Sequence, residues 1–219
     1  MERYLECMEN AAQERRIKGR LAGMKKEVVF GPVYFLMGKL LVLTGRYDRK
    51  YCCGKYFSKR HFGLFSTGWR WMVKDWRLNR RFGQNQSVPW PVDPRCHVAF
   101  PENIVFHPDD LNNFQSFGIY YQAFGGITIG RGTYIGPNVG LITANHDVTN
   151  LDTHQEPQPI TLGEGCWIGM NSVILPGITL GDNTVVGAGA VVTKSFSEGY
   201  CVIAGNPARK IKELQRENL

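Results

Sequence analysis

Residues 129–142, IGRGTYIGPNVGLI, and 162–192, LGEGCWIGMNSVILPGITLGDNTVVGAGAVV, keep a beat of six, and the residues between them do not. Aliphatic residues recur at Ile129, Ile135 and Leu141, then at Leu162, Ile168, Ile174, Leu180, Val186 and Val192. Glycine follows the aliphatic at 130, 136, 163, 169, 181 and 187. Four positions after the aliphatic stands a small or β-branched residue: Thr133, Val139, Cys166, Ser172, Ile178, Thr184 or Ala190. A helix of period 3.6 cannot hold positions six apart on one face over this distance. Hairpin strands need turn signals at a wider spacing and keep no fixed phase. The beat predicts a triangular solenoid in which each hexad makes one short strand and one corner, and three hexads close a coil. The aliphatic points inward and stacks on its equivalent about 4.8 Å away in the next coil. Glycine is expected to relax the backbone at the tight corners. The fold class is mainly β, a parallel β-helix. Regular hexads cover 129–197, and 111–128 is expected to add an earlier, imperfect coil.

The beat fails inside LITANH, residues 141–146. Asn145 falls at the small-residue position and His146 at the corner. The next inward aliphatic is due at 147 and arrives at Leu162, fifteen residues late. A solenoid tolerates an insertion at a corner, where a loop leaves without disturbing the stack, and sites are often built on such loops. The inserted segment, 147–159, is polar. Histidine at its entrance suits a general base working near neutral pH. Asp152 and His154 within the loop are candidates to orient it. Cys166 is a weaker candidate as nucleophile, because its phase points it into the core, where a thiol is inert.

The chain has 219 residues and a formal charge of +7. A basic balance favours anionic partners without choosing among them. The six cysteines form no CxxC and show no zinc-like spacing, so free thiols in a reducing cytoplasm are expected and no metal is expected. Met1–Lys26 is charged throughout, unlike a signal peptide. Val28–Leu43 is apolar but shorter than the ~20 residues of a spanning helix, and it contains Gly31, Pro32, Gly38 and Lys39. It reads as a buried helix or an interfacial segment.

Three regions emerge: 1–95, helical, basic and aromatic; 96–205, the β-helix with its inserted loop; and 206–219, a short basic helix at the C-terminus. Residues 1–27 read as helical. Between Arg46 and Arg81 eleven Lys/Arg stand against Asp48 and Asp75, an excess larger than that of the whole chain. Trp69, Trp71 and Trp76 lie among them. Structural packing is the first reading of this region, peripheral contact with a membrane or an anionic glycan the second. Binding of nucleic acid ranks last. Pro89, Pro91 and Pro94 mark the boundary with the solenoid.

The hexads, the NH pair at 145–146, CWIGM and the tail VIAGNPARKIKEL resemble the hexapeptide-repeat acyltransferases, and within them the maltose, galactoside and polysaccharide O-acetyltransferase group. The resemblance implies a left-handed β-helix and an acetyl-CoA-dependent transfer to a sugar or surface-polysaccharide precursor. It implies His146 as general base, with no acyl-enzyme. It places Trp167, Met170, Ala188, Thr193, Lys194, Arg209 and Lys212 against the donor. Met170 stands where relatives often carry serine or alanine. Ser116, Asn145 and Asp152 are the candidates on the acceptor side. The family is typically trimeric, with sites between neighbouring solenoids. Alternatives are transfer to serine or to an amino-sugar nitrogen, although the DIHPGA-type motif of the serine enzymes is missing. A β-helical metal-dependent carbonic anhydrase needs three histidines, and only His146 and His154 flank the break. A non-catalytic scaffold is the remaining alternative.

Overall fold

The computed structural model describes residues 30–58 and 63–215. The expected helix at 1–27, and Lys59 and Arg60 of the basic run, lie outside these residues.

Three parallel sheets form the faces of a triangular prism. The first face holds β1 (His97–Ala99), β3 (Tyr120–Gln122), β6 (Gly140–Ile142), β9 (Val173–Ile174) and β12 (Val191–Val192). The second holds β2 (Ile104–Phe106), β4 (Ile127–Ile129), β7 (Ile160–Leu162) and β10 (Thr179–Leu180). The third holds β5 (Tyr134–Ile135), β8 (Trp167–Ile168), β11 (Val185–Val186) and β13 (Cys201–Ala204), edged by β14 (Arg209–Glu213). The solenoid thus begins at His97, a full coil before the imperfect one expected at 111–128. In that first coil a 3-10 segment, Pro108–Gln115, takes the place of a third-face strand.

The hexad phase is realised in register. Ile129, Leu162 and Leu180 stack on the second face, Ile135, Ile168 and Val186 on the third, and Leu141, Ile174 and Val192 on the first. All nine are buried. Each burial of this kind contributes ~1.5–3 kcal/mol. The seven small residues named above are buried as well.

The role expected of the hexad glycines needs correction. None of Gly130, Gly136, Gly163, Gly169, Gly181 and Gly187 has a positive φ. They are needed because the next coil leaves no room for a Cβ: one built on Gly163 would lie 2.6 Å from the amide nitrogen of Asp182. The left-handed corner residues of the regular hexads are glycine or asparagine: Gly132, Asn138, Gly165, Asn171, Gly177, Asn183 and Gly189. These are the residue types that tolerate that backbone.

Residues 209–213 are a strand, not part of the helix expected over 206–219. The edge of β13 would otherwise present unpaired backbone groups. β14 covers it in antiparallel register after a turn containing a cis Asn206–Pro207 bond. All five residues of β14 are exposed, so no apolar stripe favours a helix.

The other end of the prism is closed by the aromatic N-terminal region. Residues 30–43 form α1, and Thr67–Phe82 form α2, which ends at left-handed Gly83. Trp90 packs on Tyr51, Phe106 and Phe114 at centroid distances of 4.8, 5.0 and 5.1 Å, and Phe114 stacks on Tyr121 of β3. Tyr47, Trp69 and Met72 join the same core. Aromatic packing on the first coil therefore accounts for much of this region.

Asp75 of α2 is buried in this packing. Gln115 Nε2 donates to its Oδ2 at 2.7 Å, while Oδ1 has no hydrogen-bond partner. Burial pushes its carboxyl up to about 6, against the opposing pull of Gln115 and Lys74. An unfolded aspartate ionises near 3.9. Between about 4 and 6 the folded chain therefore holds more protons than the unfolded one, and stability falls as pH rises through that window. Asp75→Asn is expected to be more stable than the native chain at pH 7, by up to about 2–3 kcal/mol, with the advantage vanishing toward pH 4. Urea unfolding at the two pH values measures it. An equal difference at both would remove Asp75 ionisation as the cause.

Candidate active site

The insertion leaves the prism at the corner between the first and second faces. The core pattern ends one residue earlier than the hexad count implies. Thr143 and Ala144 are buried, and Asn145, expected at the small-residue position, is exposed. Gln122 Oε1 accepts from the amides of Thr143 and Ala144 at 3.1 and 3.0 Å, so a side chain of the coil below secures the exit. Beyond it the chain forms an antiparallel ribbon. Gln158 N donates to Thr143 O, Gln155 N to Asn145 O and Asp147 N to Thr153 O at 2.8, 2.8 and 2.9 Å. At its tip Asp147 accepts from the amide and hydroxyl of Thr149, bonds that hold its carboxyl below the usual range.

His146 and His154 face each other across this ribbon, rings 4.2 Å apart. His146 Nδ1 lies 2.8 Å from the carbonyl oxygen of Leu151. A carbonyl only accepts, so Nδ1 carries the hydrogen and Nε2 of the neutral ring holds the lone pair. The backbone at Leu151, rather than Asp152, orients the ring; Asp152 is exposed and its amide caps the turn on Asn150 Oδ1 at 3.2 Å. His154 also stacks on Phe124, centroids 6.0 Å apart, and Phe124 packs on Phe100 at 4.2 Å. Phe100, Phe124, His154 and His146 thus form a column of rings along one corner. The repeated Ala-Phe at 99–100 and 123–124 was the signal for it.

Thr193 and Lys194 follow β12 at the same corner, two coils along from His146, and both are exposed. The other donor-side candidates lie elsewhere. Trp167 is exposed on the third face, beside Tyr134 of the preceding coil. Met170 and Ala188 follow third-face strands at the corner with the first face, where Gly189 N donates to Met170 O at 2.9 Å. Arg209 and Lys212 project from β14. Ser116 ends the 3-10 segment, and its carbonyl accepts from the Cys96 thiol at 3.2 Å. Asn113, nearby, is buried and structural: it donates to Thr133 O and accepts from Ile135 N. In a triangular prism the corner carrying His146 is opposite the third face. One chain therefore brings His146, Asn145, Asp152, Thr193 and Lys194 to one side, and Trp167, Arg209 and Lys212 to the other.

The chemistry of these surfaces suits a long thioester donor. Trp167 and Met170 offer apolar area, and Lys194, Arg209 and Lys212 have no carboxylate partner among the described residues. Cys166 is buried, its thiol 3.3 Å from Gly181 O, and burial pushes it up. Among the described residues no three His, Cys, Asp or Glu converge as a metal site would require.

The hexad-spaced parallel β-helix has counterparts among known proteins. Residues 159–194 match the family profile described as bacterial transferase hexapeptide (six repeats). A protein of Dictyostelium discoideum named as an acetyltransferase is 45% identical over 170 residues, 76% of this chain and 87% of its own length. A protein of Escherichia coli named for an acetyltransferase of colanic acid biosynthesis is 32% identical over 145 residues, 63% of this chain and 75% of its own. The galactoside O-acetyltransferase of Escherichia coli is 37% identical over 126 residues, 56% of this chain and 60% of its own. The chain spans about half the length of other curated relatives it matches. The chain belongs to the hexapeptide-repeat acetyltransferase family.

Proposed function

We propose that this protein transfers an acetyl group from acetyl-CoA to a hydroxyl of a sugar or surface-polysaccharide precursor. The observation that carries the reading is the Nδ1–H of His146 held on Leu151 O, which leaves Nε2 free in an exposed position. Nε2 takes the proton as the acceptor oxygen attacks the thioester carbonyl. The new C–O bond forms, the C–S bond breaks, and the imidazolium returns its proton to the departing sulfur. Holding both substrates together supplies much of the rest. The ring column at Phe100, Phe124 and His154 gives a flat apolar wall on which a sugar ring can stack. The names of the galactoside and colanic acid relatives point to the same acceptor class.

The division of candidates between opposite sides of the prism supports a homotrimer. In it, His146 of one copy works with the donor-binding face of the next. The reading places the enzyme in the cytoplasm, with its acetyl donor. The test is thiol release from acetyl-CoA with neutral sugars, uronates, amino sugars and serine as acceptors. Sugar-dependent release with an O-acetylated product is expected. Release with serine alone, or product acetylated only on nitrogen, would move the acceptor to another class.

A further inference from the structure

Among residues 30–43, only Lys39 is charged. One side of α1 is seated in the protein. Gly31 lies against Phe65 and Gly38 against Trp69, Leu41 is buried, and Phe35 meets Trp69 edge-on at 5.2 Å. The opposite side is bare: Val33, Leu36, Leu40 and Leu43 are 47, 67, 59 and 83% exposed. Their spacing of three, four and three keeps them in one row. Single exposed leucines are ordinary, but a row along three turns marks a contact surface.

The row runs into cations at its C-terminal end. Arg46, three residues past Leu43, lines a cleft of ≈ 230 Å³ together with Trp76, Arg80 and Gln86. Its guanidinium is held there by the carbonyls of Val88 and Asn85, at 2.7 and 3.2 Å. Neither Arg46 nor Arg80 has a carboxylate partner among the described residues. Arg81 follows, then Phe82, which is largely exposed.

We propose that α1 and this arginine cleft form a docking surface for an anionic bilayer. The helix lies in the interface with its leucine row among the acyl chains, Lys39 stays on the protein side with its Nζ over the Phe35 and Trp69 rings at 5.5 and 5.2 Å, and the cleft receives a lipid phosphate. Among the described residues no helix is long and apolar enough to cross a membrane. Charge argues against a second copy as the occupant, since it would bring two unpaired arginine clusters together. A bilayer supplies both the apolar and the anionic half of what this surface lacks. Docked this way, the enzyme would meet acceptors carried on lipid.

Flotation of the full chain with vesicles tests this, using phosphatidylglycerol mixed into phosphatidylcholine against phosphatidylcholine alone. The chain is expected to float with the anionic vesicles and at least tenfold less with the neutral ones. A Leu36→Glu, Leu40→Glu variant and an Arg80→Ala, Arg81→Ala variant are each expected to lose tenfold or more of that binding. Their thermal midpoints and their acetyl transfer to soluble acceptors should stay native, which keeps this result separate from the proposed activity. Native protein remaining in the soluble fraction would overturn the proposal. So would native flotation by the leucine variant, or a leucine variant that falls to a smaller assembly without lipid. Capture abolished by inorganic phosphate while the leucine variant still floats would mean an anion site alone, and would overturn it too.

Discussion

His146→Ala is expected to lower the rate of acetyl transfer by about 10²–10⁴-fold, the range for removal of a positioned general base. The effect should appear in kcat, because a general base acts on a proton that moves only in the transition state. Binding of acetyl-CoA should remain, since the candidate donor contacts at Trp167, Arg209 and Lys212 belong to another side of the prism, and Thr193 and Lys194, at the same corner, stand two coils from His146. The thermal midpoint should also remain, because His146 is exposed on an inserted ribbon outside the stacked core. Stopped-flow turnover and calorimetric binding of the donor measure the two halves. Turnover equal to that of the native chain would remove His146 as the base.

Gly163→Ala is expected to destabilise the solenoid by about 1–3 kcal/mol, the cost of forcing a methyl into a close-packed stack. The added Cβ would meet the Asp182 amide at 2.6 Å and the Gly181 carbonyl carbon at 2.7 Å. Both are backbone of the adjacent coil, held by Gly163 N donating to Leu180 O at 2.8 Å, so neither can rotate away. Gly189→Ala is the informative comparison. Gly189 has a φ of +70 and nothing within 4 Å of an added Cβ. Its cost is only that of an alanine in a left-handed conformation, about 1–2 kcal/mol. Asparagine in place of Gly189 should recover much of the loss, since Asn171 holds the same left-handed corner one coil earlier, whereas asparagine in place of Gly163 should be worse than alanine. Chemical unfolding of the four variants separates lack of space from backbone strain. Equal rescue by asparagine at both sites would refute that separation.

The core was legible because stacking imposes strict phase: all nine aliphatic positions from Ile129 to Val192 are buried where the hexads put them. The corners were less legible. A glycine at a corner can answer for conformation or for space, and composition does not distinguish the two. The alternation of glycine and asparagine at positions such as Gly132 and Asn138 would have done so, because only left-handed backbone selects that pair. The basic tail was expected as a helix from its resemblance, which took no account of the open edge of β13 that 209–213 cover. At the candidate site, the broken phase marked the corner where His146 stands. What orients it was not readable. Leu151 contributes a carbonyl, and every residue has one, so no side-chain signal marks it.

The antiparallel β14 has a consequence for assembly. Each coil presents its neighbour with a surface able to accept another coil, so an unfinished end would be a template for indefinite linear growth, as in fibres. β14 runs against the solenoid's direction, carries an irregular register between Val202 and Ile203, and turns only exposed residues outward, among them Arg209, Lys210 and Lys212. An incoming parallel strand finds neither the polarity nor the apolar neighbour it requires. β14 thereby closes the third face to a further coil, whereas the first and second faces end at β12 and β10.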